Sequence, residues 1–147
     1  TGIFTWLQNR GRHFCAGARA GTRLPLGYWQ IYLGGKRYLA HRLAWLYMTG
    51  AFPTGHIDHI NRDPSDNRWV NLRAATPSQN LANQGLSKSN KSGFKGVCWN
   101  KRKRKWQAGI RIGGKQTWLG LFSDPAQAHA AYVRAAIREF GEFARAA

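Results

Sequence analysis

The sequence predicts an α+β chain: a hairpin and helix, two short strands and a second helix, then a small antiparallel sheet with a third helix. Three observations lead there. Trp29, Ile31 and Leu33 alternate with Gln30 and Tyr32 and run into Gly34-Gly35, which is a hairpin signal. Two segments open with the same helix-start chemistry, Thr76-Pro77 with Gln79 and Asp124-Pro125 with Gln127. Between those helices lie three strand-like runs, the last two joined by Gly113-Gly114.

Taken in order, residues 1–23 show little periodicity and read as irregular or weakly strand-forming, with Gly11, Gly17 and Gly21 among arginines. Residues 28–40 form the hairpin. His41–Met48 carries Leu43, Leu46 and Tyr47 at helical spacing and stops at Gly50. Residues 55–73 read as two short strands around a polar loop, and the helix capped by Thr76 runs to Gly85. Residues 87–92, small, polar and basic, read as a linker. Phe94–Trp99, Lys105–Ile112 and Lys115–Leu121 are the three strands. The last helix has an apolar stripe of His129, Tyr132, Val133, Ala136, Ile137 and Phe140, to be laid on that sheet. The expected organisation is therefore a module at 1–86, a linker at 87–92 and a second module at 93–147.

Lys and Arg outnumber Asp and Glu 23 to 6 in the 147 residues, a formal charge of +17, so the natural partner is a polyanion. No apolar run is long enough to span a bilayer, and no signal-peptide pattern opens the sequence. Cys15 and Cys98 form no CxxC pair, which argues against a cysteine zinc site and fits a reducing compartment. The aromatic load serves mostly to bury area in small modules.

Against this charge, three of the six acids, Asp58, Asp63 and Asp66, crowd into one short span together with His59, Asn61, Asn67, Asn71 and Asn80. A carboxylate near phosphate is useful when it holds a cation that the phosphate also touches. Phosphodiester hydrolysis needs a nucleophile, a base to activate it and a counter-charge for the phosphoryl group. His59 suits the base and Asp58 a cation. Asn80, in the first turns of the second helix, can offer its carbonyl oxygen to the same cation. Asn71 can orient the imidazole through Nδ1, leaving Nε2 to take a proton from water. Asp63 and Asp66 flank Pro64 and read as turn formers. His41 opens a helix and can cap it, contact phosphate or bridge to the site; His56 shares the strand face of Asp58, and His13 lies in an unpatterned segment.

Residues 41–80, through His41-Arg42-Leu43, Asp58-His59-Ile60-Asn61, Asn71-Leu72-Arg73 and Asn80, resemble the HNH endonucleases of phage and homing type, whose strand–strand–helix fold is the ββα-metal motif. The resemblance implies His59 as general base, Asp58 and Asn80 as metal ligands and Asn71 as the central signature asparagine. It also implies Asn67 as a tie within the loop, and Arg73 as a phosphate contact.

From Lys88 to Lys115 there are ten basic residues and no acid. In the middle strand Lys105, Gln107, Gly109 and Arg111 share one face, and Trp106, Ala108, Ile110 and Ile112 the other. A major groove admits such a ribbon. Residues 93–141 resemble the DNA-binding domain of plant ethylene-response transcription factors through Lys95-Gly96-Val97, Trp106–Arg111 and Trp118–Phe122. Carried over, Lys95, Trp99, Arg102, Lys105, Arg111 and Trp118 become candidate DNA contacts. Gly109 stands where that family has an acidic residue.

The expectation is a DNA endonuclease dependent on Mg²⁺, with Mn²⁺ or another divalent cation able to substitute. It would bind double-stranded DNA and no membrane, as monomer or homodimer, in the cytoplasm of a phage-bearing bacterium. The rival is a non-catalytic, sequence-specific DNA-binding protein whose nuclease motif has decayed.

Overall fold

A computed structural model describes residues 1–9 and 14–145; His13 lies outside them. The chain is α+β and folds into two compact units, Thr1–Ala75 and Thr76–Ala147.

In the first unit, β1 (Thr22–Arg23), β2 (Trp29–Leu33) and β3 (Lys36–Leu39) form an antiparallel sheet in that order. The β2–β3 hairpin turns at Gly34-Gly35, both at positive φ, as a tight turn of the primed type requires. The segment before β1 adds one antiparallel bridge, Thr5 to Arg19. Helix α1 (Ala40–Thr49) follows β3 directly; its N-cap is Leu39, and no side chain caps it. The cap role open to His41 is therefore not taken. Gly50 closes the helix in the left-handed region, its N–H donating to Leu46 O at 2.8 Å. Arg42 then ties α1 to the segment beyond its C-terminus, donating to Pro53 O at 3.0 Å and Gly55 O at 3.3 Å.

β4 (His56–His59) pairs antiparallel with β5 (Leu72–Ala75), placing Asp58 opposite Arg73 and His59 opposite Leu72. A 3₁₀ turn, Trp69–Asn71, leads into β5. The core has two patches. Ile31, Ala20, Ala40 and Leu43 form one; Ala44, Ile57 and Leu72 form the other, and Phe4 packs against both. The N-terminal segment is thus part of the fold. Gly2, at φ +71, passes so close to the backbone of Asn67 and Arg68 that a Cβ there would overlap it.

In the second unit, α2 (Pro77–Asn83) carries the full capping box: Gln79 N–H donates to Thr76 Oγ1 at 3.2 Å and Thr76 N–H to Gln79 Oε1 at 2.8 Å. It ends with Gln84 as C-cap, one residue before the expected glycine. β6 (Val97–Asn100), β7 (Lys105–Ile112) and β8 (Lys115–Phe122) form an antiparallel sheet, and α3 (Pro125–Phe140) packs on it. Asp124 caps α3 by accepting from Ala126 N–H at 3.1 Å. The buried side of α3 is Ala128, Tyr132, Ala135, Ala136 and Phe140; Ile137, expected in the stripe, is exposed. Gly96 is required by close approach, since a Cβ there would enter the Tyr132 ring. Among the described residues, no helix is long and apolar enough to cross a membrane.

Candidate active site and nucleic-acid interface

The end of β4 delivers two consecutive polar side chains into buried surroundings. Asp58 is 4% exposed and His59 6%. Burial of an ionised carboxylate needs a counter-charge. The cross-strand neighbour supplies it: Arg73 Nε donates to Asp58 Oδ2 at 2.9 Å, and both side chains are largely buried. The phosphate-contacting residue expected from sequence thus holds the expected metal ligand.

His59 is packed on several sides. Asn67, 2% exposed, places Oδ1 3.3 Å from Nε2 of the ring. The amide is oriented by its other end, because Nδ2 donates to Ser65 O at 3.3 Å. An amide oxygen only accepts, so this arrangement puts the imidazole hydrogen on Nε2. That reverses the tautomer expected from sequence. The rings of His41 and Tyr28 stand at 5.2 and 6.0 Å, centroid to centroid. Desolvation pushes the His59 pKa below its ordinary value, opposed first by the Asn67 hydrogen bond and then by the charges of Asp58, Asp63 and Asp66.

Asn71 makes different bonds from those expected. Its Oδ1 accepts from Asn61 N–H at 2.9 Å, while Nδ2 donates to Asn61 Oδ1 at 2.9 Å and Asp66 O at 2.8 Å. It therefore ties the loop between β4 and β5, and Asn67 is the amide at the ring. The two asparagines have exchanged the parts the sequence suggested. The loop acids behave as turn formers: Asp63 Oδ1 accepts from Ser65 N–H and Oγ–H at 2.9 and 2.7 Å. Asp66 accepts from Arg68 Nε and Asn61 Nδ2, each at 2.8 Å. Hydrogen bonds from Ser65 lower the Asp63 pKa, and those from Arg68 lower that of Asp66.

His41 is 7% exposed and faces His59, its pKa pushed down to about 4, first by burial and then by the charges of His59 and Arg42. Tyr28, at 5.4 Å from the His41 ring, was missed by sequence reasoning; nothing in its spacing marks it. His56 is exposed. Asn80 belongs to the second unit, half-buried in the first turn of α2, with its N–H on Thr76 O at 2.9 Å. No group of three or more His, Cys, Asp or Glu is arranged to hold a metal among the described residues. Carboxylate and amide oxygens are the hard donors that suit Mg²⁺.

The β6–β8 sheet sorts the basic residues. Strand pairing puts Asn100 and Lys105 opposite one another, then Cys98 and Gln107, on the face away from α3. Asn100 Nδ2 donates to Gln107 Oε1 there at 2.9 Å. Between Ala108 and Gly109 the β7–β8 register slips: Ala108 pairs with Gly120, but Gly109 pairs with Trp118. Leu119 is the extra residue of a bulge, with Gly120 at φ +139. In an unslipped register Trp118 would face Ile110 and α3. With the slip, Trp118 stands 62% exposed opposite Gly109, on the outer face that Arg111 and Lys105 share. Gln116, opposite Arg111, lies where a Cβ on Gly109 would sit.

Two of the expected contacts have partners within the fold. Trp99 pairs with Trp106, ring centroids 5.0 Å apart, and remains 47% exposed. The Lys95 ammonium donates to Ala82 O and Gln84 O at the end of α2. Arg102, in the β6–β7 turn, is exposed as expected. His129 is packed, with Nδ1 3.0 Å from Lys95 O and its ring against Phe94 and Tyr132.

The protein family described as HNH endonuclease matches residues 38–82. Protein 3.8 of Escherichia phage T7 is 37% identical over 90 residues, which is 60% of this chain and 72% of that protein. A protein named as an uncharacterized HNH endonuclease, from Acanthamoeba polyphaga mimivirus, is 34% identical over 119 residues, 80% of this chain and 61% of that protein. No solved structure gives a significant match.

Proposed function

The chain belongs to the HNH endonuclease family, and from that membership we propose that it is a divalent-metal-dependent endonuclease that recognises a site in double-stranded DNA and nicks one strand. The observation that carries the reading is the consecutive pair Asp58-His59 at the end of β4, both buried, the acid held by Arg73 and the imidazole by Asn67.

In this reading His59 accepts the proton of a water molecule as its oxygen forms a bond to phosphorus, in line with the departing 3′ oxygen. The P–O3′ bond breaks, leaving 5′-phosphate and 3′-hydroxyl ends. Asp58 would hold the cation, Mg²⁺ or Mn²⁺, and by the order of the motif alone Asn80 would be a ligand as well. A divalent cation at that point supplies charge stabilisation to the phosphoryl group and the leaving oxygen. The 93–147 segment, read as a domain like that of ethylene-response factors, positions the duplex with Lys105, Arg111 and Trp118 on one sheet face and Arg102 at its turn. Lys and Arg there neutralise phosphates. The protein acts inside a bacterial cell carrying a phage.

The test is conversion of supercoiled plasmid to open circle by the full chain in Mg²⁺ or Mn²⁺, stopped by EDTA. His59→Ala should bind the same DNA and not cut it. Normal turnover by that variant would remove His59 from the role of base. Duplex binding without cutting in either metal would favour a DNA-binding protein with a decayed motif.

A further inference from the structure

The sheet of the first unit has a second face, turned away from its core. Ile31 is buried with Leu43 of α1, so Gln30 and Tyr32, on either side of it along β2, point the other way. Cross-strand pairing adds Thr22, opposite Gln30, and Arg37, opposite Tyr32, to that face. The rings of Trp6 and Phe14 meet edge to face, centroids 5.8 Å apart and planes at 68°. These six side chains line a groove of about 860 Å³, which Gly34 and Gly35 border with backbone alone. Phe14, Tyr32 and Arg37 are exposed.

We propose that this groove binds single-stranded DNA, taking an unpaired base against its aromatic rings and the neighbouring phosphate on Arg37. The charge selects the class of partner. Positions 1–57 hold seven Lys or Arg and no Asp or Glu, so a second copy of the chain would bring like charge, and a polyanion is favoured. The rings then select among polyanions. A duplex keeps its base faces inside the stack and offers edges and phosphates, which gives Phe14 and Tyr32 nothing flat to meet. An unpaired base offers its face, and stacking on an aromatic side chain accepts any base. The Gln30 amide and the Thr22 hydroxyl supply donors and acceptors for that base's edge. The C-terminal sheet is read above as a duplex surface, so the chain carries two nucleic-acid surfaces with different preferences. The choice of DNA rests on the nuclease reading; the preference for unpaired bases does not.

The test is fluorescence anisotropy of a fluorescein-labelled oligothymidylate with the full chain in EDTA, beside a duplex of equal length. An oligomer of the same length and charge with abasic sites in place of its bases should bind about 10-fold more weakly, the loss of a stacked base. Phe14→Ala and Tyr32→Val should each weaken oligothymidylate binding by about the same factor and leave duplex binding unchanged. Arg37→Ala should lower the slope of log K against log salt for the single strand by about 0.7. Arg111→Ala, on the other surface, should weaken duplex binding more than single-strand binding. Equal affinity for the abasic oligomer overturns the proposal. So do folded Phe14→Ala and Tyr32→Val variants that bind oligothymidylate like wild type, or that lose duplex binding equally. If those variants do not fold, the abasic oligomer with the wild-type chain still decides. Tighter binding of oligouridylate than of oligothymidylate overturns the choice of DNA. If wild type cuts no DNA but prefers bases over abasic sites as stated, the nuclease reading fails and the groove stands; cutting without that preference gives the reverse.

Discussion

Arg73 lies directly across the β4–β5 ladder from Asp58, and its Nε–Oδ2 distance of 2.9 Å makes it the counter-ion of a nearly inaccessible carboxylate. Removing one member of such a pair strands the other charge away from water, which costs more than the pair itself contributes. Arg73→Ala should therefore lower unfolding free energy by about 3 kcal/mol. Asp58→Asn, which removes the carboxylate's charge, should cost less. Urea unfolding of the two variants side by side reads the difference.

The exchange of parts between Asn67 and Asn71 separates stability from turnover. Asn71→Ala deletes three hydrogen bonds within the β4–β5 loop and should cost about 1–3 kcal/mol. Asn67→Ala removes the acceptor at the His59 ring and should reduce kcat more than Asn71→Ala does once both are compared well below their melting temperatures. Thermal melts and cleavage rates on the same preparations settle which asparagine serves the base.

His41 makes the protein acid-sensitive. Its pKa falls from an ordinary 6.5 to about 4 in the folded state, so the unfolded chain binds more protons between those values. Stability attributable to this group is complete above about pH 6.5 and is lost as pH falls toward 4, a change of about 3 kcal/mol. Burial also lowers the His59 pKa, and that works in the same direction. His41→Phe should flatten this part of the stability profile, measured by denaturant midpoints from pH 8 to pH 4.

On the C-terminal sheet, Arg111→Ala should weaken DNA binding and lower the slope of log K against log salt by about 0.9, as expected for one lost phosphate neutralisation. Trp118→Ala should weaken binding with that slope unchanged. Deleting Leu119 restores a regular ladder that still pairs Gly109 with Trp118, so binding should largely persist. Lys95→Met is the control: its ammonium is engaged by the end of α2, so stability should fall by about 1–2 kcal/mol with no change in the salt slope. Fluorescence anisotropy over a range of salt concentrations reads all four.

Features that depend on short-range chemistry were legible in the sequence. The Gly34-Gly35 hairpin and the Thr76–Gln79 box form because their donors, acceptors and permitted φ angles are local. The acid-and-histidine pair was legible for the same reason: the two residues adjoin. What was not legible depends on phase. A 3₁₀ turn at Trp69–Asn71 decides which asparagine reaches the imidazole, and its rotation leaves no periodic trace. The bulge at Leu119 sets the phase of Trp118 against Gly120, so Trp118 shares the outer face with Arg111. Lys95 was read as a free cation because the carbonyls it would meet lie 11 and 13 residues back along the chain.

Gly2, pressed against the backbone of Asn67 and Arg68, and Tyr28, leaning on His59, both lie outside the stretch by which the family is recognised, residues 38–82. A fragment trimmed to that stretch would keep every diagnostic letter and strip away the neighbours that keep the imidazole enclosed. The recognisable signature is smaller than the piece of chain that can be inherited, transplanted or expressed with its chemistry intact. Any chimera that moves this HNH region onto another module therefore has to carry the first forty residues with it.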